Sequence, residues 1–128
     1  MTEQVERFSA SFAKYSEGVS VSGPGRWIHV AGQVALDENN ELIEGDLASQ
    51  TEKTLDHVER VLKRADAGLS DVVKINVYVL SFDDYAAFSE VRARRFGDSP
   101  PASAVVKAAG LMLGAAIEID AVAFVPDE

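Results

Sequence analysis

Glu118 and Asp120 are the side chains in this sequence best spaced for acid–base chemistry. They stand two apart in Ile117-Glu118-Ile119-Asp120, which on a strand puts them on one face about 7 Å apart. Two carboxylates at that distance divide the roles of proton donor and acceptor when their surroundings raise the pKa of one. Without such surroundings they are two solvated groups near an opening. Ser103 carries a hydroxyl, but no Gly-x-Ser-x-Gly elbow surrounds it and neither histidine is near it in sequence. It is expected to line a cleft and give one hydrogen bond rather than to act as a nucleophile.

The remaining chemistry-bearing residues read more blandly. His29 falls in the apolar run Trp27-Ile28-His29-Val30-Ala31 and is expected to be an interior, hydrogen-bonded group, whereas His57 belongs at a helix surface. Two scattered histidines with no cysteine make no zinc pattern, so no metal is expected. Gly23-Pro24-Gly25 precedes a strand instead of a helix and is too short to cradle a phosphate, so it reads as a turn. Arg92, Arg94 and Arg95 form the one dense basic group. Arginines so placed form a wet helix face, reach across a subunit contact, or grip an anion if one turns inward.

The elements that must position these groups follow from periodicity. An extended segment through Val19 and Val21 ends at the Gly23-Pro24-Gly25 turn, and a second strand runs from Trp27 until Gly32-Gln33 closes it. Leu47, Thr51, Thr54, Leu55, Val58, Val61, Leu62 and Ala65 recur at steps of three and four, the stripe of an amphipathic helix. Gly68 is expected as its stop. Val73, Ile75, Val77 and Val79 alternate as one face of a strand, with Lys74, Asn76, Tyr78 and Leu80 on the other. Ser81 and Asp84 have capping-box spacing for a second helix through Tyr85, Phe88, Val91 and Phe96, which ends at Gly97 before Pro100 and Pro101. Strands from Ala102 to Val106 and Ala115 to Phe124 complete the order β-β-α-β-α-β-β. That order predicts an α+β fold, one mixed sheet with both helices on one face. The other face would then expose Tyr78, Leu80, Ala116, Val122 and Phe124, and a patch of that kind marks an association surface.

Composition excludes several classes. The 128 residues suit one domain, 1–128, with 47% hydrophobic residues and no linker or repeat. No apolar run approaches the roughly 20 residues of a membrane span. The start, Met1-Thr2-Glu3-Gln4-Val5-Glu6, lacks the basic and apolar stretches of a signal peptide, so a cytoplasmic protein is expected. A formal charge of −9 opposes contact with a phosphate backbone, so no nucleic-acid partner is expected.

Taken together, the ordered signatures resemble the Rid/YjgF family of reactive-intermediate deaminases. They are Gly32-Gln33, the Gln50–Gly68 helix, Leu69-Ser70-Asp71-Val72-Val73-Lys74, Phe96-Gly97-Asp98, Pro101-Ala102, and Ile117-Glu118-Ile119-Asp120-Ala121-Val122-Ala123. The resemblance covers almost the whole chain. It implies a chorismate-mutase-like α+β unit assembled as a homotrimer, whose sheets close a central barrel and whose subunits form clefts between them.

It also implies a cofactor-independent hydrolase that converts reactive enamines and imines to ketoacid and ammonia. Glu118 matches the glutamate that holds the attacking water, and Tyr15 matches an early cleft tyrosine, with three extra residues before Gly32-Gln33, within the Ser22–Gly25 turn. Gly32 and Gln33 fall in the substrate cleft by the same match. At the position of the substrate-gripping arginine, in a Pro-Ala-Arg motif, this chain has Ser103, and Met112 replaces a proline common before the final strand. The implied function is therefore hydrolytic deamination with an altered substrate preference. The alternative is a non-catalytic homotrimer that binds a small metabolite. Nucleic-acid cleavage, a role sometimes attached to the family, is opposed by the charge.

Overall fold

The computed structural model describes residues 3–128. In chain order its elements are strands β1 (Val5–Ser9), β2 (Ser16–Val21) and β3 (Gly25–Gln33), helix α1 (Leu47–Lys63), strand β4 (Val72–Val79), helix α2 (Tyr85–Phe96), and strands β5 (Ala102–Lys107) and β6 (Ile117–Pro126). Single 3₁₀ turns at Leu69–Asp71 and Met112–Gly114 lead into β4 and β6. The six strands form one sheet in the order β1-β2-β5-β4-β6-β3. β5 runs parallel to β2 and β4, and the other pairings are antiparallel, so the sheet is mixed as expected.

Alternation along the two central strands decides what lies inside. Ile75, Val77 and Val79 of β4 and Ile117, Ile119, Ala121 and Ala123 of β6 are buried with Leu55, Val58 and Leu62 of α1 and Phe88, Val91 and Phe96 of α2. Each fully buried Leu, Ile or Phe here stabilises the fold by about 1.5–3 kcal/mol. The α1 stripe includes Gln50, which is buried because its Oε1 accepts from the Ala116 amide at 3.0 Å and so ties the helix to the start of β6.

Three local expectations need correction. β1 has the alternating pattern Val5-Glu6-Arg7-Phe8-Ser9 and pairs with β2, although the polar N-terminus gave no strand signal. Half-buried Arg7 fixes it to the sheet edge by donating to the carbonyls of Val72 (3.0 Å), Pro100 (2.9 Å) and Ser70 (3.0 Å). Gly68 is extended and leads into the 3₁₀ turn, and Asp66 takes the left-handed conformation (φ +54°) after α1. Ser81 Oγ accepts from the Asp83 amide at 3.0 Å and forms a local turn in place of a capping box. Asp46 is the residue that caps a helix: its carboxylate accepts from the Ser49 amide at 2.9 Å.

The sheet face away from the helices carries Lys74, Asn76 and Tyr78 on β4 and Glu118, Asp120 and Val122 on β6, all half-buried. Tyr78, Leu80, Ala116 and Val122 are partly open as expected. Phe124 is not, because Trp27 packs on it within the chain at a centroid distance of 5.0 Å. No helix among the described residues is long and apolar enough to cross a membrane.

Candidate functional site

The fold sorts the candidate residues into two groups. The first lies on the helix side of the sheet, where α2 meets the turn before β2. Tyr85, Ser89 and Arg92 follow one another at steps of four and three along α2, so they share a helix face. Arg92 is 3% exposed. Its Nη1 donates to Ser103 Oγ on β5 at 3.0 Å, and its Nη2 donates to the Tyr85 hydroxyl at 3.3 Å and to Ser89 Oγ at 3.4 Å. The guanidinium carbon lies 4.8 Å from the Tyr15 ring centroid, 4.9 Å from Phe88 and 5.9 Å from Tyr85. Desolvated cation–π contacts of this kind contribute about 2 kcal/mol. An open cavity of about 910 Å³ adjoins this cluster, lined by Phe12, Tyr15, Tyr85, Ser89 and Arg92 among others.

Arg92 thus parts from its neighbours in sequence. Arg95 pairs with Glu52 (2.9 Å) and Asp56 (3.0 Å), and Arg94 pairs with Glu52. Those two arginines bind α2 to α1. Arg92 has no carboxylate partner among the described residues and reaches the candidate Ser103.

The second group sits on the opposite sheet face. Glu118 lies over Gly32: a Cβ built on Gly32 would stand 2.5 Å from Glu118 Oε2 and 2.9 Å from its Cδ. Gly32 is therefore required by close approach, in a bulged stretch of β3 between Val30 and Gln33. Gln33 folds back to donate to the Ala31 carbonyl at 3.1 Å. Asn76 Nδ2 donates to Asp120 Oδ1 at 2.9 Å and the Tyr78 hydroxyl to Oδ2 at 3.4 Å. The Asp120 charge, then burial, the hydrogen bond to Asp120 and the charge of Glu118 all raise the Tyr78 pKa above its ordinary value. Asp120 is thus engaged by residues of the adjacent strand β4, and Glu118 is the carboxylate of the pair that faces the bulge.

Ser103 is in register with Ile75, and Glu118 with Tyr78, on the two sides of β4. Two strand spacings and a three-residue offset put them roughly 14 Å apart, on opposite faces. One chain brings Tyr15 and Ser103 together through Arg92, and Glu118 together with Gly32 and Gln33. It does not bring the two groups to each other.

The histidines stay outside both groups. His29 is exposed on the open face, contrary to the interior position expected, because the β3 register turns it away from α1. His57 is half-buried, with Nε2 2.7 Å from the Leu36 carbonyl.

Residues 6–125 match the family model described as Endoribonuclease L-PSP. The chain belongs to the Rid/YjgF family. A RutC family protein of Pyrococcus abyssi is 35% identical over 93% of this chain and 92% of its own length. The protein HMF1 of Saccharomyces cerevisiae is 31% identical over 92% and 89%. Among solved structures, the Rid protein family member YyfB from Yersinia pestis aligns with a TM-score of 0.83 at 30% identity, covering 96% of this chain and all of that one. RidA from an Antarctic Psychrobacter aligns at 0.75 and 28%, covering 97% and 100%. The α+β sheet with two helices on one face is thus the Rid/YjgF fold.

Proposed function

We propose that this Rid/YjgF protein is a hydrolytic deaminase of reactive enamines or imines, acting as a homotrimer without a cofactor in clefts between subunits. The observation that carries this reading is the seat of Glu118 against Gly32. The absence of a Cβ leaves room for a carboxylate near the start of β6, beside the exposed, irregular stretch of β3 at Ala31 and Gly32. An enamine first tautomerises to its imine; Glu118 then accepts a proton from water as the oxygen attacks the carbon of the C=N bond, and returns that proton to the nitrogen. The resulting carbinolamine passes its hydroxyl proton through Glu118 to the amine, the C–N bond breaks, and a carbonyl and ammonia are released, so one water is consumed for each ammonia formed. Such chemistry needs a positioned water, a carboxylate and groups that orient the substrate.

The separation of Glu118 from Ser103 within one chain supports a shared cleft, since a second copy must supply the missing half. The half-buried Tyr78, Ala116 and Val122 on the open sheet face support the same assembly. Ser103, in place of the expected arginine, underlies the altered substrate preference. An endoribonuclease activity, the description attached to the family model, is disfavoured by the net charge of −9.

The test is a coupled assay. An amino-acid oxidase generates an imine in the presence of semicarbazide, and the protein competes by hydrolysing the imine first. Semicarbazone formation should fall in proportion to added protein. No effect with any imine, amino-acid-derived or neutral, would leave the alternative of a non-catalytic, metabolite-binding homotrimer, a reading that Ser103 favours.

A further inference from the structure

Arg92 is a buried cation whose needs the chain does not meet. Its three hydrogen bonds all go to neutral hydroxyls, those of Ser103, Tyr85 and Ser89, at 3.0–3.4 Å. Its Nε–H is buried and has no partner among the described residues. No carboxylate among the described residues pairs with it, although the chain carries 21 acidic residues. A guanidinium removed from water is normally paired or fully hydrogen-bonded, because an unpaired buried charge is costly. The aromatic rings of Tyr15 and Phe88 offset part of that cost but satisfy no N–H donor.

The cavity beside it completes the picture. Its wall combines apolar rings, Phe12, Tyr15 and Tyr85, with three cations, Lys14, Arg92 and Arg94, against two acids, Glu90 and Asp98. Arg94 is taken up by Glu52, and both acids are exposed at the rim. Hydroxyls are adaptable partners: each bonds a guanidinium as acceptor and turns to donate to an anion. A planar anion with a small apolar body fits this wall, because two oxygens match the guanidinium fork and the body packs on the rings.

We propose that Arg92 is the specificity-determining residue of this cavity, and that it anchors the carboxylate of a small organic acid. The anchor comes from helix α2, with the Ser103 hydroxyl orienting it from β5. This deepens, and rests on, the small-molecule reading of the cleft, and it reverses one consequence drawn from Ser103: the protein keeps a grip on carboxylate substrates. Arg94 and Arg95 have no part in it.

Propanoate and its neutral isostere propanamide are suitable probes, titrated into the wild-type protein by calorimetry and by ¹⁵N-resolved NMR of the arginine Nε–H groups. Propanoate should bind at least tenfold more tightly than propanamide and should shift the Arg92 Nε–H signal. Arg92→Met should abolish that preference, and Arg92→Lys should keep a reduced one, the charge remaining without the fork. Equal binding of acid and amide by the wild type, or an unmoved Nε–H signal at saturation, would overturn the proposal, and neither result depends on a variant that folds. Because no turnover is measured, the outcomes separate. Propanoate bound through Arg92 with no imine hydrolysed would refute the deaminase and leave the anchor standing.

Discussion

Arg92 Nη1 stands 3.0 Å from Ser103 Oγ, so a helix residue that lines the cavity meets a strand residue eleven positions on in sequence. The contact links the helix that α1 holds in place to the strand that bears the Pro101-Ala102-Ser103 motif. Each element on either side of it has consequences that can be measured.

Gly32 leaves the space that Glu118 occupies. Gly32→Ala would put a methyl 2.5 Å from Glu118 Oε2. The long side chain can swing aside, so stability should change by less than about 1 kcal/mol, while kcat/KM for imine hydrolysis should fall by about tenfold or more. Urea denaturation and the semicarbazone assay read the two effects separately. Full activity in the alanine variant would show that the Glu118 position is not critical.

Arg7 closes the edge at which β1 joins the sheet. Its pKa is lowered, chiefly by burial and against the opposing charge of Asp71, and its guanidinium serves three carbonyls. Arg7→Ala should therefore cost about 2–3 kcal/mol in urea unfolding, since three carbonyls lose a charged donor. A change below about 0.5 kcal/mol would mean that water replaces the arginine without penalty.

Acid should loosen the attachment of α2 to α1. Burial by itself would raise the Glu52 pKa, but hydrogen bonds from Arg95 and Arg94, together with their charges, outweigh it and lower it. A depressed carboxylate pKa contributes stability that is present above the unfolded value and is lost as pH falls through the folded one. Glu52 is about one-third exposed, so solvent screening limits the contribution to about 1 kcal/mol or less. Glu52→Gln should lower Tm at neutral pH and make no difference below the folded pKa. A gap between the two proteins that persists in strong acid would contradict the assignment.

Assembly can be tested by mixing. Light scattering should give a closed trimer of the 13.8 kDa chain, about 41 kDa. With a cleft shared between copies, Arg92→Met and Glu118→Ala chains refolded together should regain about a quarter of wild-type hydrolysis, because random trimers contain some clefts with both residues intact. A monomer, or a mixture no more active than its parts, would remove the shared cleft.

Much of this architecture is legible in the sequence, and the exceptions have physical causes. The Leu47–Leu62 stripe and the alternation of Ile75, Val77 and Val79 are strong because each element buries one face. Gln50 breaks the stripe by type and not by position, since its burial depends on a single backbone amide of Ala116. β1 is short, lies at an edge and is held by one arginine, none of which composition reveals. Arg92 shares its charge and its helix with Arg94 and Arg95, but the three point different ways. The useful signal is the Tyr85-Ser89-Arg92 spacing, which puts the arginine on the same helix face as a phenol and a hydroxyl. Glu118 and Ser103 stand out singly in the sequence, whereas their placement on opposite faces depends on strand order.

The most direct measurement is kcat/KM for imine hydrolysis by the wild type and by Glu118→Gln, a substitution that keeps the size of the side chain and removes the proton acceptor. The variant should remain trimeric, should bind propanoate as the wild type does, and should lose activity by about a hundredfold or more. A glutamine variant that hydrolyses imines at the wild-type rate would contradict the role of Glu118, and with it the proposed chemistry.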